Sequence, residues 1–232
     1  MFARVFGIAL VAASFFGGAS VAAGPVVVEL YTSQGCSSCP PADALLHELK
    51  QSEDVLPLAF HVDYWDYIGW VDHFADPAHT ERQKGYARAA GERMIYTPQM
   101  IIGGVTHVIG NRHGEVAPAV AAAKDAPEPV RVSALRRGNS VEIAVEPVAR
   151  LSGPVIVQWV EYNPAQTVDI RRGENAGRSL TYHNVVTRFE ILARWNGSGT
   201  YRGRVNVDGS SPGAVIVQYA RHGAVLGATR VE

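Results

Sequence analysis

Tyr31-Thr32-Ser33-Gln34-Gly35-Cys36-Ser37-Ser38-Cys39-Pro40-Pro41-Ala42-Asp43 is the stretch from which fold and chemistry are read. It contains the chain's only two cysteines, separated by two serines. A bridge closing so short a loop removes little entropy from the unfolded chain, so stability is a poor reason for the pair. Disulfide scaffolds instead spread several cysteines over long loops. Upstream, Pro25–Tyr31 (PVVVELY) is apolar and β-branched and reads as a buried strand. Downstream, Pro40 and Pro41 suit a helix's first turn, where their missing N–H groups have no intrahelical role. Ala44, Leu45, Leu46 and Leu49 supply that helix's apolar stripe.

Two cysteines three positions apart at a helix start lie close enough to bridge. The helix dipole and the first helical N–H groups are expected to favour a thiolate at Cys36, the attacking species in exchange. Cys36 would then attack a partner's disulfide and Cys39 would resolve the adduct; the oxidised pair runs the same steps backward. Glu29 on the first strand is a candidate proton acceptor for Cys39, with a paired structural acid as the alternative. The scheme requires accessible sulfurs.

Outward from this motif come a strand at Val55–Val62, the aromatic, acidic segment Asp63–Trp70 and a helix at Pro77–Arg93. Tyr96-Thr97-Pro98 precedes strands at Gln99–Ile102 and Val105–Ile109, and Gly114–Ala123 reads as a closing helix. This alternation implies parallel strands, with the last two forming a hairpin. Ala126-Pro127-Glu128-Pro129 reads as a linker. Beyond it lie short alternating runs at Val130–Leu135, Val141–Val145, Val155–Val160, Val185–Leu192, Tyr201–Val207, Val215–Tyr219 and Val225–Val231, an all-β, sandwich-like pattern. Gly153–Trp159 (GPVIVQW) echoes Gly213–Tyr219 (GAVIVQY).

The cysteine block resembles the signature of a secreted bacterial thioredoxin-like family classed as a domain of unknown function. His61–Trp70, Tyr96–Gln99 and Arg172–Arg178 resemble further blocks of that family. The resemblance implies an α/β thioredoxin-like domain over residues 24–126 and a small all-β C-terminal domain over residues 127–232. It also implies a cis peptide before Pro98, facing the cysteines. Gly35, Thr97, Trp65 and Trp70 would line the substrate groove. The sequence departs from better-known thioredoxins in its Ser37-Ser38 pair and in Gly35, where a tryptophan is usual.

A net charge of −1 without a basic run argues against a nucleic-acid partner. Arg4, an apolar run to Phe16 and small residues to Ala23 read as a secretory leader over residues 1–23. The expectation is a periplasmic or secreted protein with no membrane contact after cleavage, exchanging disulfides with protein or small-molecule thiols and needing no cofactor. Two alternatives stand: Cu(I) held by both thiolates, with Met94 and Met100 flanking Pro98, or a non-catalytic binding module with an inert bridge. Asp63, Asp66, Asp72, His61 and His73 offer metal donors but no recognised ligand spacing, so no metal site is assigned. Arg171, Arg172 and Arg178 bracket a loop that either reaches over the cysteines to bind an acidic group or is a solvated hairpin.

Overall fold

The computed structural model describes residues 23–209 and 211–232; the leader expected over residues 1–23 lies, Ala23 apart, outside them. The elements are β1 (Val26–Thr32), α1 (Pro40–Leu49), β2 (Val55–His61), α2 (Pro77–Ala90), β3 (Gln99–Ile102), β4 (Thr106–Ile109) and α3 (His113–Lys124). They continue as β5 (Val130–Arg137), β6 (Ser140–Pro147), β7 (Val155–Asp169), β8 (Ser179–Trp195), β9 (Tyr201–Asn206), β10 (Gly213–Tyr219) and β11 (Val225–Val231).

The expected α/β thioredoxin-like domain followed by a separate all-β domain is corrected here. One eight-stranded mixed sheet takes strands from both halves, in the order β11-β10-β7-β8-β2-β1-β3-β4, and only β5-β6-β9 form a second sheet. The join is a parallel pairing of β2 with β8 at Ala59 and Val185. The sandwich-like character is real but local. The three-stranded sheet buries Val141, Ile143, Val145 and Val205 against Trp159, Val215 and Val217 of the large sheet's far end.

Side-chain alternation divides the large sheet's two faces. Val28 and Leu30 of β1 and Val55 and Ala59 of β2 pack with Ala42, Leu45 and Leu46 of α1 and with α3. Val27 and Tyr31, with Leu56, Leu58 and Phe60, pack on the other face with Tyr86 of α2 and with Val160, Ala214 and Ile216. Glu29 has the parity of Val27 and Tyr31, so it points to the α2 face, away from the cysteines.

There Glu29 meets Arg82 in a two-pronged pair, Nη2 to Oε1 at 2.7 Å and Nε to Oε2 at 2.8 Å. Tyr86 and Tyr31 donate to the same carboxylate at 2.6 and 2.9 Å. Arg82 also donates to Gln158 of β7 and Gln218 of β10. These glutamines are the two that the echoed segments share. Burial pushes the Glu29 carboxyl up, but the Arg82 charge and these hydrogen bonds hold it below the usual range. Glu29 is therefore the paired structural acid of the two alternatives.

Removing one partner of a buried pair strands the other charge, at a cost of about 3–5 kcal/mol. Glu29→Gln is expected to lower the unfolding free energy by about that amount in urea titrations at neutral pH. Because the folded-state carboxyl is depressed, its contribution is present above the unfolded value and lost as pH falls through the folded one. The difference from wild type should therefore shrink in acid. A loss under about 1 kcal/mol at neutral pH would be surface-pair behaviour and would contradict the assignment.

Candidate functional site

β1 ends at Thr32, and the chain turns through Ser33–Ser38 into α1, which begins at Pro40 with Cys39 as its cap. Cys36 and Cys39 are joined in a disulfide, their Cα atoms 5.4 Å apart. The bridge sits against the first turn of α1, but the helix offers it few donors. Pro40 and Pro41 have no N–H, and the N–H groups of Ala42 and Asp43 both go to the Cys39 carbonyl, at 2.8 and 3.1 Å. The expected N–H stabilisation of a Cys36 thiolate is thus corrected. What reaches the Cys36 sulfur is the Ser38 hydroxyl, 3.4 Å away; a bridged sulfur has no proton, so the hydroxyl donates.

Ser37 and Ser38 are exposed, but Cys36 and Cys39 are only 1% and 0% exposed. The expectation of accessible sulfurs is not met in this conformation, and a segment more than 130 residues away in sequence bonds the backbone of the cysteine loop. The β7–β8 hairpin is bulged at Glu161–Tyr162, and β8 is kinked where Asn184 takes a left-handed φ of 48°. Beyond these points its distal half forms an arm across α1. Lys50 donates to the Pro164 carbonyl at 2.8 Å, and His47 stacks on His183 at 4.0 Å. At the arm's tip, Asn175 donates to the carbonyls of Gln34 and Cys36, both at 2.9 Å. Glu174 accepts from the Ser37 N–H at 3.2 Å. Arg178 bonds the Asn175 side chain and braces this latch. The loop bracketed by arginines does reach over the cysteines, yet Glu174 and Asn175 make the contact, and Arg171 and Arg172 remain exposed.

The other expected site residues come together on this side. The Thr97–Pro98 peptide is cis. Trp65 donates to the Thr97 hydroxyl at 2.7 Å, and Trp70 to the Gln34 side chain at 2.8 Å. Gly35 backs onto Trp65: a Cβ there would sit 3.2 Å from the Trp65 Cβ. Pro98 packs beside Gly110, which also meets Ala42 in the first turn of α1. Trp65 and Trp70 are half-buried, with their indole N–H groups bonded to Thr97 and Gln34. Among the described residues no three His, Cys, Asp or Glu side chains converge on a metal position. The carboxylates of the Asp63–Asp72 segment instead bond Thr80, the Asp72 N–H and His61.

One buried cluster joins Asp43 and Tyr182 to His61 and Asp72, which the sequence offered only as metal donors. Asp43, one helical turn beyond Cys39, accepts from Thr32 at 2.9 Å through Oδ1, while Oδ2 has no partner. Around it stand His61, paired with Asp72 at 2.7 Å, and Tyr182, whose ring meets that of His61 at 4.9 Å. His61 Nε2 and the Tyr182 hydroxyl are likewise buried and without a protein partner. Burial pushes the Asp43 carboxyl up to about 7 against the opposing pull of His61 and Thr32. It pushes the Tyr182 hydroxyl up as well. The Asp72 carboxylate, despite burial, is held low by His61 and by the N–H groups of Gln34 and Phe74.

A family model described as a protein of unknown function, DUF1223, matches residues 27–218. The chain belongs to this family. A crystal structure of a protein from Agrobacterium tumefaciens is 34% identical, with 90% of this chain and 95% of that one covered and a TM-score of 0.77. HBP35 of Porphyromonas gingivalis shares the fold at 14% identity, covering 90% and 75% of the two chains with a TM-score of 0.61. No curated protein matches the chain.

The latch predicts how the bridge is guarded. Two hydrogen bonds from Asn175, at about 0.5–1.5 kcal/mol each, hold the arm's tip over Cys36. Asn175→Ala is expected to speed reduction of the folded protein's disulfide by dithiothreitol about tenfold, since about 1.4 kcal/mol corresponds to a factor of ten. An unchanged rate would show that the arm does not control access.

Proposed function

We propose that this DUF1223 protein is an exported thiol–disulfide exchange protein working through Cys36 and Cys39. The observation that carries the reading is the bridge itself. The only two cysteines are joined across two residues, at the rim where β1 gives way to α1, and Trp65, packed on Gly35 beside them, bonds Thr97 of the cis Thr97–Pro98 peptide. By loop-closure entropy so small a ring stabilises by only about 2 kcal/mol, less than a long-loop bridge. Export supplies a compartment in which such a pair can be held oxidised.

The chemistry is a two-step exchange. A partner thiolate attacks the Cys36 sulfur, the Cys36–Cys39 bond breaks, and the Cys39 sulfur leaves with the electron pair and takes a proton. A mixed disulfide between Cys36 and the partner remains. A second thiolate on the partner then displaces Cys36, so the partner ends oxidised and the protein reduced; the opposite sequence reduces a partner disulfide. For a protein partner to reach the buried Cys36 sulfur, the Glu174–Asn175 tip must lift. The exposed Ser37-Ser38 turn marks where it would dock.

Burial of both sulfurs favours a second reading, in which the bridge is an inert clasp. Trapping separates the two. With Cys39→Ala, the mixed disulfide on Cys36 has no resolving thiol, so partner-linked adducts should accumulate in envelope extracts and vanish on reduction. A Cys39→Ala protein that gathers no adduct, together with a Cys36→Ser/Cys39→Ser variant that loses several degrees of melting temperature, would establish the clasp.

A further inference from the structure

When the bridge opens, Cys39 leaves as a thiolate in a buried site. An unpaired charge there is costly. The usual relief from helix N–H groups is missing, because Pro40 and Pro41 have none and those of Ala42 and Asp43 are spent on the Cys39 carbonyl. Cys39 therefore needs a proton from close by.

Asp43 is placed to give one. It lies four residues on, on the same helix face, where side-chain origins stand about 5–6 Å apart. Its Oδ2 is buried and without a partner, while Oδ1 is fixed by Thr32. The groups facing it are Thr32 from β1, His61 from β2, Asp72 from the following loop, and Tyr182, with Arg178 nearby, from the arm. A cavity of about 380 Å³ runs beside it, lined by Pro40, Pro41, Ala44, Arg178, Leu180 and Tyr182 among others. This cavity gives the cluster a route for proton exchange with solvent that does not pass the covered sulfurs. Three orphaned polar atoms within one buried cluster are also unusual in a packed interior, where such groups are nearly always paired.

Resting on the exchange reading above, we propose that Asp43 is the acid–base partner of Cys39. Its carboxyl gives a proton to the Cys39 sulfur as the bridge opens and takes it back as the bridge closes. In the opening step a partner thiolate bonds to the Cys36 sulfur, the Cys36–Cys39 bond breaks, and the Cys39 sulfur receives the electron pair and the Asp43 proton. The products are a mixed disulfide on Cys36, a Cys39 thiol and an Asp43 carboxylate. Closure reverses each movement. Glu29, on the opposite face of the sheet, takes no part.

The test is the pH dependence of bridge reduction by dithiothreitol in the full protein, with each rate divided by the reductant's thiolate fraction. For wild type this corrected rate should be level in acid and fall above about pH 7, as Asp43 loses its proton. Asp43→Asn keeps the bond from Thr32 but has no proton to transfer. Its corrected rate should be at least about tenfold lower below pH 7 and independent of pH. Thr32→Val removes the hydrogen bond that favours the ionised carboxyl, so the wild-type inflection should move to higher pH. That shift reports on Asp43 even if Asp43→Asn fails to fold. A reducible wild type whose profile Asp43→Asn shares, or an inflection that Thr32→Val leaves in place, overturns the proposal alone. A folded wild type that no thiol reduces at any pH overturns the exchange reading, and the proposal with it.

Discussion

Between α2 and the middle of the large sheet, the Glu29 carboxylate and the Arg82 guanidinium lie almost wholly out of water, bonded to each other at 2.7 Å. Desolvating two such charges costs several kcal/mol each, and the mutual attraction repays this only when the remaining donors and acceptors are also satisfied. Here the satisfying groups come from four elements: Tyr31 of β1, Tyr86 of α2, Gln158 of β7 and Gln218 of β10. The pair is complete only once strands from both ends of the chain stand together. A C-terminal half free to form its own domain would leave Arg82 short of partners, which is a physical reason for one continuous sheet.

The chemistry at the other face follows from that continuity. Because β8 belongs to the same sheet as β1 and β2, its hairpin partner β7 and their shared tip are delivered to α1 and over the cysteines. The arm has two effects. Through Glu174 and Asn175 it bonds the backbone of the cysteine loop, and through Tyr182 it closes the wall of the Asp43 pocket. On the exchange reading, the rate at which partners reach Cys36 belongs to the latch, and the fate of the proton at Cys39 belongs to Asp43. The two sulfurs are served by residues from different elements, the arm's tip and α1.

Much of the element list was legible from local pattern. The strand before the cysteines, the helix begun by Pro40-Pro41, the strand at Val55 and the hairpin after Pro98 all stand where apolar runs and turn residues put them. The seven downstream runs are seven strands. What local pattern does not reveal is which strands share a sheet. Ala126–Pro129 reads as a boundary because its composition is that of a connector, but a connector can also join two layers of one body. A signal was present: Val155–Val160 and Gly213–Gln218 are buried at every position, as strands covered on both faces are. Their echo carries a glutamine at the same place because both glutamines serve Arg82.

At the site, the cysteine pair carries a local signature, whereas Gly35, Thr97, Pro98, Trp65 and Trp70 were reached through the family resemblance, and the structure brings Trp65 against Gly35 and Thr97. Glu29 stayed open between its two alternatives, since alternation separates it from Val28 and Leu30 but does not say which face receives α1. Asn175 and Glu174 meet the cysteine loop across 139 and 137 residues, a separation over which no periodicity speaks. Asp43 was within reach: an acid one turn beyond Cys39 and next to Ala42 falls on the buried side of the helix. The central claim, that the covered bridge is a working redox pair, is tested most directly by equilibrating the native protein in dithiothreitol buffers of graded potential and counting its thiols by mass spectrometry. The account predicts a reversible two-electron transition in which the far-ultraviolet circular dichroism stays native. A bridge that stays oxidised until the protein unfolds would contradict it.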